Sequence, residues 1–128
     1  MNVLTPNEYQ QQAMRTNDGG CRRRLQARID CYKVGQHNTE IPDIINGAMG
    51  LTGESGEVSV LLKKHIFHGE DLDLEALKKE LGDVCWYIAM ICQASGIKFE
   101  DVLQGNIDKL KRRYPDGFSE EASKNRTE

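Results

Sequence analysis

The chain has 128 residues, close to the commonest size of one domain, so a single core is expected to house any active site. Hydrophobic residues make up 38%, charged residues 29% and aromatics 6%, with a mean hydropathy of -0.60, a polar balance that does not favour a strand sandwich around an aromatic core. Seventeen Lys and Arg against 20 Asp and Glu leave a net charge of -3, which argues against a duplex-binding module yet allows a small anion held by a few local cations.

Thr5-Pro6 has the pattern of an N-cap followed by proline at the first helical position, and predicts a short helix over about 6–15. Residues 17–42 are polar and loop-like at both ends; Leu25, Ile29 and Tyr32 allow one amphipathic helix inside what is otherwise a variable excursion. A helix is then predicted over about 43–67, where Ile44, Ala48, Leu51, Val58, Leu61, Leu62 and Ile66 recur at helical spacing. Gly69 stops it, and the acids up to Asp73 cap a helix over about 73–95, with Leu74, Leu77, Leu81, Val84, Ile88 and Ile91 on one face and Gly96 at its end. A fourth main helix, about 99–113, turns Val102, Leu103, Ile107 and Leu110 inward and ends at Tyr114-Pro115-Asp116-Gly117. The tail, 119–128, has little to bury and is expected to fray. No stretch alternates with period two, so the expectation is one all-α domain over 1–118 of the four-helix-bundle type.

No apolar run approaches the roughly 18 residues of a bilayer span, and the opening MNVLTPNEYQ lacks a signal-peptide pattern, so a cytoplasmic protein without membrane contact is expected. The four cysteines, at 21, 31, 85 and 92, form no CxxC pair and are expected to stay thiols in a reducing compartment, with Cys85 and Cys92 packed in the core. His37, His65 and His68 read as surface or helix-end residues, and Arg22-Arg23-Arg24 as a solvated face.

Chemistry concentrates in two acid pairs, Glu54-Ser-Gly-Glu57 and Glu80-Leu-Gly-Asp83. Each places carboxylates at i and i+3, on one side of a turn. At roughly 100° per residue, Glu54 and Glu80 flank the apolar stripe of their own helix, and Glu57 and Asp83 lie further round on the same side. Glu57 pairs with Glu80, and Glu54 with Asp83, about the same midpoint between His68 and Gly69. An antiparallel hairpin folded there brings all four acids to one height. Converging carboxylates in a partly buried seam repel one another unless cations neutralise them, and Mg²⁺ or Mn²⁺ are the hard, oxygen-preferring ions for the task. Gly53, Gly56 and Gly82, unfavourable in a helix, would let a neighbouring backbone or a ligand come close. Lys109 and Arg113 share a face of the fourth main helix as a possible phosphate clamp, though basic residues there also complement the helix dipole. Two other readings stand beside a metal-dependent phosphohydrolase: a di-iron carboxylate bundle, which normally wants Glu-x-x-His pairs absent here, and a non-catalytic nucleotide- or protein-binding helical bundle.

Asn46-Gly-Ala-Met-Gly-Leu-Thr-Gly-Glu-Ser-Gly-Glu57, Glu80-Leu-Gly-Asp83-Val-Cys-Trp-Tyr and Asn106-Ile-Asp-Lys-Leu-Lys-Arg-Arg-Tyr-Pro-Asp-Gly-Phe118 together resemble the MazG-like branch of the all-α nucleoside triphosphate pyrophosphohydrolases. The resemblance covers about 46–118 and the short 5–16 opening. It implies a homodimer or dimer of dimers, with Mg²⁺ (or Mn²⁺) on Glu54, Glu57, Glu80 and Asp83, and substrate contacts from Asn106, Lys109, Arg113, Tyr114 and Lys64. It also implies cleavage between the α and β phosphates of a nucleoside or deoxynucleoside triphosphate, giving monophosphate and pyrophosphate. Residues 17–40 depart from the family pattern where the base pocket is shaped, so the resemblance assigns no base preference.

Overall fold

The computed structural model describes residues 4–34 and 39–125. They form α1 (Pro6–Ala13), a single 3-10 turn (Met14–Thr16), α2 (Cys21–Val34), α3 (Ile41–His68), α4 (Leu74–Ser95), α5 (Phe99–Arg113) and α6 (Glu120–Lys124). The all-α expectation holds. No helix among the described residues is long and apolar enough to cross a membrane.

The caps follow the local chemistry that the sequence carries. Thr5 accepts the Glu8 amide while Glu8 reaches back to the Thr5 amide, a reciprocal capping box that starts α1 with Pro6 in its first turn. Asp73 accepts the Ala76 amide at the start of α4. Gly69 and Gly96 close α3 and α4 at φ 72° and 66°, left-handed values that an L side chain would resist. Gly117 turns the chain after α5 in the same way, at φ 92°.

Three boundaries differ from the sequence expectation. The excursion over 17–42 contains the full helix α2, led in by Asp18, whose carboxylate accepts the Gly20 amide and both Nη atoms of Arg24. The next helix begins at Ile41 instead of 43, because Pro42 fits its first turn and the Glu40 amide donates to the Ala94 carbonyl at the end of α4. Residues 120–124, expected to fray, form α6, whose Ser119 cap accepts the Ala122 amide. His37 and residues 126–128 lie outside the described residues.

Tertiary structure centres on one antiparallel hairpin, α3 against α4; α2 rests lightly on α3 and α5 lightly on α4. Four glycines interrupt the 28 residues of α3, so this helix owes its stability to packing more than to propensity. Two of them make the seam. A Cβ built on Gly47 would stand 2.7 Å from Ile91 Cγ1, and one built on Gly50 would overlap the Tyr87 ring. Those pairings share the midpoint between His68 and Gly69 to within half a residue, which is the register the acid pairs implied.

The hairpin leaves much of its apolar surface uncovered. Only Cys92 and Ala94 are buried among the hydrophobic residues described. Cys85, expected in the core beside Cys92, is exposed, because it lies on the side of α4 turned away from α3. The inward stripe expected of α5 is likewise open, with Val102, Leu103, Ile107 and Leu110 all exposed, since among the described residues α5 packs only lightly on α4. Accessible surface totals 10925 Å², against about 6,900 Å² for a compact monomer of this mass.

Candidate functional site

The register at Gly50 and Tyr87 decides which side chains meet next along the seam. One turn beyond Gly50 on α3 stands Glu54, and one turn before Tyr87 on α4 stands Asp83, with Glu80 a further turn back. One carboxylate oxygen from each of Glu54, Glu80 and Asp83 falls within a group whose members all lie within 4.8 Å of one another. Glu54 and Glu80 are half-buried, while Asp83 opens to solvent.

Electrostatics in the cluster act in one direction. Partial burial raises the Glu54 pKa above the usual glutamate value, helped by a hydrogen bond shared with Glu80 and by the charges of Asp83, Glu80 and Glu57. A hydrogen bond between two carboxyl groups needs a proton between them, so without another cation Glu54 holds one more readily than an isolated glutamate would. All three donors are hard oxygens from two helices. Such a set fits an oxygen-preferring divalent ion, which would replace that proton and leave positions for water or phosphate oxygens.

Beside the trio opens a cleft of about 340 Å³, lined by Glu54, Asp83, Trp86 and Tyr87. Tyr87 is fixed against Gly50. Trp86 stands edge-on to it, ring centroids 5.0 Å apart at 85°, and remains 60% exposed.

The other expected site residues lie in different surroundings. Glu57 is exposed and stays outside the three-carboxylate group, although its charge still acts on Glu54. Lys64 is ten residues past Glu54, about 15 Å along the helix axis at ordinary rise; its carbonyl accepts the amides of Gly69 and Glu70 at the C-cap. Asn106 is exposed on α5, and Lys109, Arg113 and Tyr114 are half-buried at its end, where the Tyr114 ring meets Phe118 at 5.5 Å. Among the described residues, α5 packs sparingly on α4 and has no substantial packing with α3. Nor do Gly53, Gly56 and Gly82 admit a neighbouring backbone. Nothing lies within 4 Å of a Cβ built on any of them, and the close approaches fall on Gly47 and Gly50 instead. Trp86 and Tyr87 are cleft residues that the acid motifs alone do not announce. Their signal was spacing: Trp86 follows Asp83 by three, on the acid side of α4.

Fold and site together define an all-α chain in which an antiparallel helix pair presents clustered carboxylates at the middle of its seam. Over residues 46–118 the chain matches the model of the MazG nucleotide pyrophosphohydrolase domain, and it belongs to that family. It is also 30% identical over 112 residues to the Gene 37 protein of Mycobacterium phage L5, an alignment spanning 77% of this chain and 98% of the relative. No solved structure matches it significantly.

Proposed function

We propose that the protein hydrolyses nucleoside or deoxynucleoside triphosphates between the α and β phosphates, releasing monophosphate and pyrophosphate, with Mg²⁺ as cofactor and Mn²⁺ as a substitute. The observation that carries the reading is the convergence of Glu54, Glu80 and Asp83 from two helices, oxygens within 4.8 Å of one another. Membership of the pyrophosphohydrolase family supports the reaction class.

In this reading Glu54, Glu80 and Asp83 would hold the metal, with Glu57, one turn along α3 and near enough for its charge to act on Glu54, as the fourth carboxylate of the set. A divalent ion held there would supply charge neutralisation for the triphosphate and acidify the attacking water. The carboxylate cluster accepts the proton of the attacking water. Lys109 and Arg113 stabilise the departing pyrophosphate, and Asn106, Tyr114 and Lys64 orient the nucleotide. The overall acidic balance of the chain fits a free nucleotide better than a nucleic acid as substrate.

The protein works as a homodimer or dimer of dimers in the same reading. Its accessible surface exceeds that of a compact monomer by about 4,000 Å², more than the roughly 1,000–2,500 Å² that each protomer buries in an obligate homodimer interface. A second copy would supply the cover that the α5 stripe lacks, and would bring its own α5 to the assembly.

The deciding experiment is a pyrophosphate-release assay over the ribo- and deoxyribonucleoside triphosphates and dUTP, with Mg²⁺, with Mn²⁺ and with EDTA. Metal-dependent production of monophosphate and pyrophosphate is expected. Silence with every substrate and both metals overturns the proposal in favour of a non-catalytic helical bundle.

A further inference from the structure

The largest aromatic side chain of the protein stands beside the acid cluster and is not used to hold the fold together. Trp86 is 60% exposed, a poor use of a side chain that ordinarily buries more surface than any other. It lines the same cleft as Glu54 and Asp83. Its position is nevertheless determined: Tyr87, the next residue, is pinned by Gly50, and the perpendicular contact between the two rings at 5.0 Å sets the indole's tilt. An edge-to-face pair occupies at most one face of each ring, so the indole keeps a flat face for a ligand. Trp86 also follows Asp83 by one helical turn, about 4.5 Å along the axis. A ligand whose phosphates lie at the carboxylates would therefore carry its organic end past this ring.

We infer that Trp86 is the stacking platform for the nucleobase, a binding residue of the proposed pyrophosphohydrolase site and resting on that reading. Stacking on an indole needs only a π face, which every nucleobase has, so this contact supplies affinity and little discrimination. It should favour purines modestly through their larger ring area. Tyr87 also lines the cleft, but its ring is held against Gly50 in the α3/α4 seam.

Trp86 is the one tryptophan of the chain, so its fluorescence reports on this position alone. The test titrates the intact protein, in Mg²⁺, with α,β-methylene triphosphates of the four common bases and, separately, with inorganic tripolyphosphate. The methylene bridge blocks cleavage, and tripolyphosphate offers the phosphates without a base. Saturable quenching by the nucleotide analogues, with much weaker quenching by tripolyphosphate, is expected. The W86A variant should raise KM and weaken analogue binding by about 5- to 100-fold, leaving kcat and inhibition by tripolyphosphate close to wild type, while W86F recovers most of the loss. Circular dichroism of both variants confirms equal helix content.

Unchanged analogue affinity in W86A, with wild-type hydrolysis intact, overturns the platform and leaves the pyrophosphohydrolase reading standing. Equal loss for the analogue and for tripolyphosphate also overturns it, because a residue that merely supports the fold would act on both. Fluorescence that tracks protein concentration and ignores nucleotide assigns Trp86 to a subunit interface instead. Failure of the wild type to bind any analogue overturns both the platform and the proposed function.

Discussion

The Tyr87 ring lies so close to the Cα of Gly50 that a methyl group built there would overlap it. The contact sits in the seam between the two longest helices, and it fixes the register that brings Glu54 alongside Glu80 and Asp83. Gly50→Ala must push the ring or the helix aside, so despite alanine's better helix propensity the variant should lose about 1–3 kcal/mol, the usual range for overpacking. A thermal melt checks this. A melting temperature equal to wild type would mean that Tyr87 moves freely and does not set the register.

Gly82 gives the opposite expectation for stability. A Cβ there meets nothing within 4 Å and α4 continues through it, so Gly82→Ala should stabilise the fold by about 0.5–1 kcal/mol through helix propensity. It lies between Glu80 and Asp83 in sequence but about 100–160° round the helix from both, away from the cleft that Glu54 and Asp83 line. Higher melting temperature with hydrolysis close to wild type is the expected pair of results; a marked loss of activity would show that the substrate or a second copy approaches this side of α4.

Glu54 makes the stability of the metal-free protein depend on pH. Its pKa is raised in the folded state, chiefly by partial burial and then by the neighbouring acids, so the folded chain binds this proton more tightly than the unfolded chain does. By linkage, the contribution favours folding below the ordinary glutamate range and is lost as pH rises through the folded-state value. In EDTA the wild type should therefore become less stable across that window, and Glu54→Gln should flatten the decline. Mg²⁺ should restore wild-type stability at neutral pH. Melting temperatures against pH, with and without Mg²⁺, measure all three effects.

Much of this arrangement was legible because it rests on local rules. Capping residues Thr5 and Asp73 and the stop glycines Gly69 and Gly96 act within a few residues of themselves, and the spacing of two acid pairs about one turn set the hairpin register. What escaped the sequence depended on three-dimensional packing. Which glycines of α3 face α4 turns on the exact helix phase, and Gly47 and Gly50 face it where Gly53 and Gly56 do not. Helix α2 resembles a loop in sequence because its polar composition hides the lead-in at Asp18 and Arg24. The apolar stripe of α5 is legible as a stripe but its lack of cover is not, since periodicity shows that a face wants burial without showing what provides it.

Glu57 tests how the acid cluster changes between metal binding and turnover. It lies outside the three-carboxylate group yet near enough for its charge to act on Glu54. Glu57→Gln should lower kcat by about 100-fold or more, the scale of a lost electrostatic contribution at a reacting centre, while weakening Mg²⁺ binding less than Asp83→Asn does. Calorimetric Mg²⁺ titration beside the hydrolysis assay separates the two roles, and both variants should retain the helical signal of the wild type. Full activity in either would remove that carboxylate from the site.

The open face of α5 makes the final prediction. Leu103 is 57% exposed and Ile107 47%, on a helix whose apolar positions recur on one side and which, among the described residues, packs only sparingly on α4. Each such side chain is worth about 1.5–3 kcal/mol when taken fully out of water, so a second copy that covers the stripe gains several of these at once. Sedimentation velocity of the wild type should show a dimer or larger species, and its melting temperature should rise with protein concentration, as mass action requires of a fold coupled to assembly. Ile107→Asp places a charge in the middle of the stripe and should shift the protein toward monomer and lower its melting temperature. A wild type that sediments as a monomer at every concentration, with a melting temperature independent of dilution, would leave the stripe without a partner of its own kind.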